Sequence, residues 1–194
     1  MERTVLVKKG NDFFKIPVGN SDFKFVKGTC ENVIVSSKGE IIRRYPTKLK
    51  KGEDYYQFIE PRLNLSTGCL QIRVSGGIRK LHKMVAEAFV SKPKGCNKVD
   101  YINNDPYDLR AENLRWIRKD ENKRISYPWT DITAFDYRTG KKYTFKEFED
   151  ITLQDIHRSK DKAGKKWRCR ILYKLHNGGG KAFGFLWTAK KVTD

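Results

Sequence analysis

Asp100 and Asn113 place a carboxylate and an amide oxygen in one short stretch: Val99-Asp100-Tyr101-Ile102-Asn103-Asn104-Asp105-Pro106-Tyr107-Asp108-Leu109-Arg110-Ala111-Glu112-Asn113-Leu114-Arg115-Trp116. Hard oxygen donors of this kind suit Mg2+ or Mn2+, and an ion that keeps much of its hydration shell needs few protein ligands. Tyr101 adds a phenol to the same stretch, and His82 lies upstream. An imidazole, with a reference pKa of about 6.5, is suited to taking a proton from water. A phenol, near 10, is only about 0.1% ionised at neutral pH. Each residue also has a plainer use. Asp100 serves equally as a turn or capping acid, Asn113 as an amide that pins backbone, Tyr101 as a ring packed on a hairpin, and His82 as a packed or capped side chain.

The elements that must position these groups are short. Residues 1–80 read as a β-rich module, with strands at Val5-Leu6-Val7 and Phe23-Lys24-Phe25-Val26. A strand, turn, strand unit follows at Val33 to Ile42 with Gly39 in the turn, and Leu70 to Val74 alternates before Ser75-Gly76-Gly77. Residues 81–120 carry the candidate site. There Leu81, Met84, Val85, Ala88 and Phe89 share one face of a helix that Pro93 stops. Asp105, Pro106 and Asp108 look like the start of a second helix, which would set Leu109, Asn113 and Trp116 on one face. Residues 121–131 read as a linker. In 132–194, Ile132 to Phe145 reads as a hairpin turning at Thr139-Gly140. Short helices follow at Lys146 to Asp150 and from Leu153, and a last hairpin turns at Asn177-Gly178-Gly179-Gly180.

Lys and Arg number 41 against 23 Asp and Glu, so the chain carries +18 with a pI near 9.8, and a polyanionic partner is expected. Cys30, Cys69, Cys96 and Cys169 are scattered, with no Cys-x-x-Cys or Cys/His pairing, so no zinc is expected. Scattered thiols, no apolar N-terminal run and no stretch long enough for a membrane span suggest a cytoplasmic protein without membrane partners.

The stretch 99–116 resembles the core of HNH homing endonucleases of the phage and intron type, whose pattern runs roughly V-D-H-I-N-G-x-x-x-D-N-R-x-E-N-L-R-W. Leu81-His82-Lys83-Met84-Val85-Ala86-Glu87-Ala88-Phe89 resembles the family's V-H-R-L-V-A-x-A-F helix. Val33 to Ile41 is similar to its Y-x-V-S-N-x-G-x-V module, and Asp136, Gly140 and Thr144-Phe145 are similar to its C-terminal DNA-binding repeats. The resemblance implies an α+β, modular chain. It would hold an N-terminal antiparallel β module, a central ββα-metal (HNH-like) core and a C-terminal β-hairpin plus helix-turn-helix-like module. It places Asp100 and Asn113 where the family binds metal, Tyr101 where the general-base His stands, and His82 at the family's helix His. Leu109 replaces a structural Asn whose amide ties the loop to the hairpin. It also implies a phage or mobile-element origin, and so a phage-infected bacterial cell.

General-base catalysis is worth about 10² to 10⁴ in rate. A phenol at that position therefore points to a DNA-binding protein derived from an HNH homing endonuclease, with cleavage lost or strongly attenuated. Two other readings stay open: an active Mg-dependent nicking endonuclease, and an RNA- or ribonucleoprotein-binding factor on the same scaffold. Duplex DNA is the expected partner. Candidate contacts are Arg43 and Arg44; Arg115, Arg118 and Lys119; and Arg158, Lys160, Lys165, Lys166, Trp167, Arg168 and Arg170. In this last group Trp167 and the nearby Tyr173 would supply flat faces for stacking among the cations.

Overall fold

A computed structural model describes residues 3–45, 55–74, 76–121, 127–152 and 166–192. The chain is α+β and mostly β. Two compact units divide it. The first comprises Met1–Leu63, Leu70–Tyr101 and Leu109–Asn122; the second comprises Asn64–Cys69, Ile102–Asp108 and Lys123–Asp194.

The first unit opens with β1 (Arg3–Lys9), β2 (Asp12–Val18), β3 (Phe23–Phe25), β4 (Val33–Ser36), β5 (Ile41–Tyr45) and β6 (Tyr55–Phe58). They form one sheet in the order β2-β1-β6-β5-β4-β3, antiparallel except for the β1–β6 pair. Alternation decides which face is covered: Val5, Val7, Ile16, Val18, Ile34, Ile42 and Tyr56 form its apolar cluster. A second sheet joins β7 (Arg62–Asn64), β8 (Cys69–Val74) and β9 (Gly77–Lys80). Helix α1 (Leu81–Phe89) follows directly; Leu81, Met84 and Val85 of the expected face are buried, Ala88 and Phe89 are half-buried, and Ala86 is buried beside them. β10 (Lys98–Tyr101) then pairs antiparallel with β11 (Leu114–Ile117).

The expected helix from Asp105 does not form. Arg110 is extended, Ala111–Asn113 is a single 3-10 turn, and Leu114 to Ile117 is strand. Leu109, Asn113 and Trp116 are all buried, but they lie on a turn and a paired strand and not on the one helical face expected. Asp105 does accept a backbone N–H from Tyr107, the bond a cap would make. Its other oxygen is held by His176 Nδ1 at 2.9 Å and Lys191 Nζ at 2.8 Å, so the fully buried carboxylate anchors a loop instead of starting a helix. Burial pushes this carboxyl up, and the bonds from His176 and Lys191 outweigh it and hold it below the usual range.

The second unit is built on β12 (Trp129–Asp136), β13 (Lys142–Glu147), α2 (Lys166–His176), β14 (Gly180–Ala182) and β15 (Phe185–Lys191), with sheet order β13-β12-β15-β14. The β12–β13 hairpin falls where the sequence places it, and Asp136 accepts the Arg138 N–H at the turn. The helix expected at Lys146 to Asp150 is instead the end of β13 and a 3-10 turn, Phe148–Asp150, closed by reciprocal bonds between Glu147 and Asp150. The one expected from Leu153 lies outside the described residues. Asn177 to Gly179 is not a hairpin turn but closes the end of α2, and Gly180 begins β14. Gly178 N–H reaches Leu175 O, and Gly179 N–H reaches Lys174 O, with Gly178 at φ +82. Glycine at that position relieves the strain of a left-handed helix end. The last hairpin turns at Phe183-Gly184.

Candidate nuclease-like site

The β10–β11 ladder sets the candidate residues. Asp100 stands opposite Arg115, and Tyr101 opposite Leu114. Asn113 comes one position before Leu114, so both oxygen-bearing candidates lie at the same end of this short ladder. Arg115 Nη2 lies 2.6 Å from Asp100 Oδ2, and Nε of the same guanidinium is 2.9 Å from that oxygen. Arg115 therefore neutralises the carboxylate across the hairpin. It is not a lone cation waiting for phosphate, and nothing in its linear spacing announces the pairing.

Helix α1 packs against both strands. Its first turn brings His82 Nδ1 to 2.9 Å from Tyr101 Oη, with the rings edge to face at 5.7 Å. Burial, then the charges of Lys80 and Lys83, push His82 down to about 4. Its imidazole is thus neutral at physiological pH. The pairing of these two rings is the feature that linear reading misses, because its partners sit on different elements. At the far end of the helix, Trp116 Nε1 donates to Val90 O, and Lys92 Nζ lies 4.6 Å over the Trp116 ring.

Leu109 has a definite neighbour. Gly39, at φ +87 in the β4–β5 turn, is so close that an added Cβ would sit 2.7 Å from Leu109 Cβ. Beside it, Ala111 N–H donates to Ser37 O at 2.7 Å. The turn and the 109–111 segment are therefore held together by packing and one backbone bond, where the resemblance expects a side-chain amide.

The donor chemistry of Asp100 and Asn113 suits a hard divalent ion, and Arg115 competes for one carboxylate oxygen. Among the described residues no group of three His, Cys, Asp or Glu side chains is placed to hold a metal.

The candidate contact residues separate. Arg118 and Lys119 are exposed after β11, and Arg44 is exposed on β5. Arg43 donates to Arg73 O. Trp167 is not an open stacking face: it is 4% exposed and packs near Phe148 on the covered side of α2 with Ile171, Leu172 and Leu175. Tyr173 is turned edge-on to Tyr107, at 5.2 Å. Arg168 lies 5.2 Å over the Trp167 ring and donates to Ile151 O, and exposed Arg170 lies 5.7 Å over Phe183. Arg158, Lys160 and Lys165 lie outside the described residues, as does the Lys166 side chain.

No family model matches the chain. It is 37% identical over 83 residues to "Uncharacterized HNH endonuclease L247" of Acanthamoeba polyphaga mimivirus, covering 38% of this chain and 20% of that protein. The chain is similar to HNH endonucleases. The match takes in a fifth of that relative's length. Among solved structures, the HNH homing endonuclease I-HmuI, described in a study of its DNA binding and cleavage, aligns with a TM-score of 0.41 and 16% identity. That alignment covers 89% of this chain and 99% of that one. No helix among the described residues is long and apolar enough to cross a membrane.

Proposed function

We propose that this chain binds duplex DNA on an HNH-type nuclease scaffold, with strand cleavage lost or strongly attenuated. The observation that carries this reading is Tyr101. At the position after Asp100 stands a phenol, and its hydroxyl is engaged at 2.9 Å by a neutral His82. A phenol, whose reference pKa is about 10, is a poor acceptor for a proton from water. Asp100 and Asn113 would hold Mg2+ or Mn2+. When bound, such an ion stabilises charge on a phosphate and its leaving oxygen. Asp100 shares its carboxylate with Arg115, which weakens that hold in the absence of substrate. The likeness to a named HNH endonuclease and the net charge of +18 support DNA as the partner.

One observation favours the working-nickase reading. The Gly39–Leu109 packing and the Ala111–Ser37 bond keep the loop rigid without the expected amide. The deciding experiment is plasmid nicking with Mg2+ and Mn2+, beside duplex binding by gel shift. The expected result is duplex binding with little nicked product, and a gain in nicking on Tyr101→His. Efficient nicking by unmodified protein that Asp100→Ala abolishes would establish the nickase instead.

A further inference from the structure

The N-terminal sheet carries a row of rings on the face opposite its apolar cluster. β1 and β2 place Lys8 opposite Phe13, and β5 and β6 place Tyr45 opposite Tyr55. Strand alternation puts these four on the reverse side from Val7, Ile16 and Tyr56. Lys8 Nζ lies 5.5 Å over the Phe13 ring. Phe13 and Tyr55 meet edge to face at 5.7 Å, and Tyr55 and Tyr45 stack at 5.9 Å with 16° between planes. Three rings and an ammonium thus cross four adjacent strands, β2-β1-β6-β5. Phe13 is 48% exposed on the edge strand, and Lys15 is exposed on the same face two residues on.

A contiguous strip of rings at the surface, unlike a single exposed apolar side chain, marks a binding face. Ammonium groups on and beside the rings make an apolar protein surface a poor fit and a polyanion a good one. Duplex DNA uses only the cations, because its bases are already stacked inside. An unpaired strand uses both, with bases on the rings and phosphates on Lys8 and Lys15. We infer that the Phe13–Tyr55–Tyr45 strip is a stacking platform for single-stranded nucleic acid. It is separate from the β10–β11 site and does not depend on cleavage there.

Anisotropy titrations of the full chain test this with labelled oligothymidylate and oligouridylate of about twelve nucleotides, a length within the range of aromatic platforms, and with a duplex of equal length. Phe13→Leu with Tyr55→Leu keeps apolar cover and removes the π faces. Single-strand affinity is expected to fall about tenfold or more, duplex affinity to stay within about twofold, and Phe13→Trp alone to bind single strands at least as well as unmodified protein. Preference for one oligonucleotide identifies the strand as DNA or RNA. Photocrosslinking of unmodified protein to iodouracil-substituted strands should map to Phe13, Tyr45 or Tyr55, which needs no variant to fold. Unchanged single-strand affinity, equal losses on duplex, or crosslinks confined to other residues would overturn the platform. Duplex affinity itself reports on the proposed function, so the two readings fail separately.

Discussion

At residue scale the site turns on what stands next to Asp100. Under the proposed function, Tyr101→His puts an imidazole, reference pKa about 6.5, in place of a phenol, reference pKa about 10, so nicking should rise by about 10² to 10⁴. Leu109→Asn should not add to it. Leu109 is buried against Gly39, and the backbone bond from Ala111 to Ser37 already ties the segment. An amide there loses packing and needs partners, so the melting temperature should drop while nicking by the Tyr101→His protein stays level or falls. His82 gives a second prediction. Its folded value of about 4 lies below the unfolded value of about 6.5, so the unfolded chain binds more protons between those limits. Stability is therefore complete above about 6.5 and declines as pH falls toward 4, by at most roughly 3 kcal/mol. Denaturation midpoints followed from pH 7 to 4.5 should fall steeply for the unmodified chain and less steeply for His82→Phe. Asp105, lowered by His176 and Lys191, contributes in a different window. Its stabilisation is lost only as pH falls below the ordinary carboxylate range, so the two groups separate along the titration.

At the scale of elements, the Gly39 turn tests how the loop is held. An alanine there meets Leu109 Cβ at 2.7 Å and must adopt φ +87, so Gly39→Ala should cost about 1 to 3 kcal/mol. Adding Leu109→Gly removes the Cβ that the new methyl meets, but not the φ penalty. A double-mutant cycle by chemical denaturation should therefore show coupling of favourable sign. The elements that were legible in the sequence were those in which local pattern and tertiary pairing agree. α1 repeats its apolar face, and β12–β13 alternates around Thr139-Gly140. The misread ones are those in which pairing overrides a local signal. Asp105-Pro106 carries a helix-start pattern, yet Leu114 to Ile117 pairs with β10 and leaves one 3-10 turn between. Asn177-Gly178-Gly179-Gly180 suits a hairpin turn and a helix end equally, and α2 before it decides. Trp167 sits in a run of cations that reads as surface, but with Ile171, Leu172 and Leu175 it falls on the apolar face of α2. In the candidate site, Asp100, Tyr101 and Asn113 were legible as a group. The pairings of Asp100 with Arg115 and of Tyr101 with His82 were not, because contacts across a ladder or between a helix and a strand have no fixed sequence offset.

For the molecule as a whole, +18 is a statement about binding thermodynamics before it is one about chemistry. Each phosphate neutralised on duplex DNA adds about −0.9 to the slope of log affinity against log salt, and about −0.7 on a single strand. That difference lets the surfaces be dissected without a structure of the complex. Arg118→Ala and Lys119→Ala remove exposed cations beyond β11, and each should make the duplex slope shallower by about 0.9 if it meets a phosphate. Lys8→Gln should make the single-strand slope shallower by about 0.7. Tyr101→His, which alters a group inside the hairpin, should leave both slopes unchanged even as nicking rises. Slopes measured by anisotropy over a salt series would then divide the side chains into those that grip phosphate and those that act on it. A Tyr101→His protein whose duplex slope shifts as much as that of Arg118→Ala would show that the hairpin contributes to binding, and that gripping and cleaving are not separable in this chain.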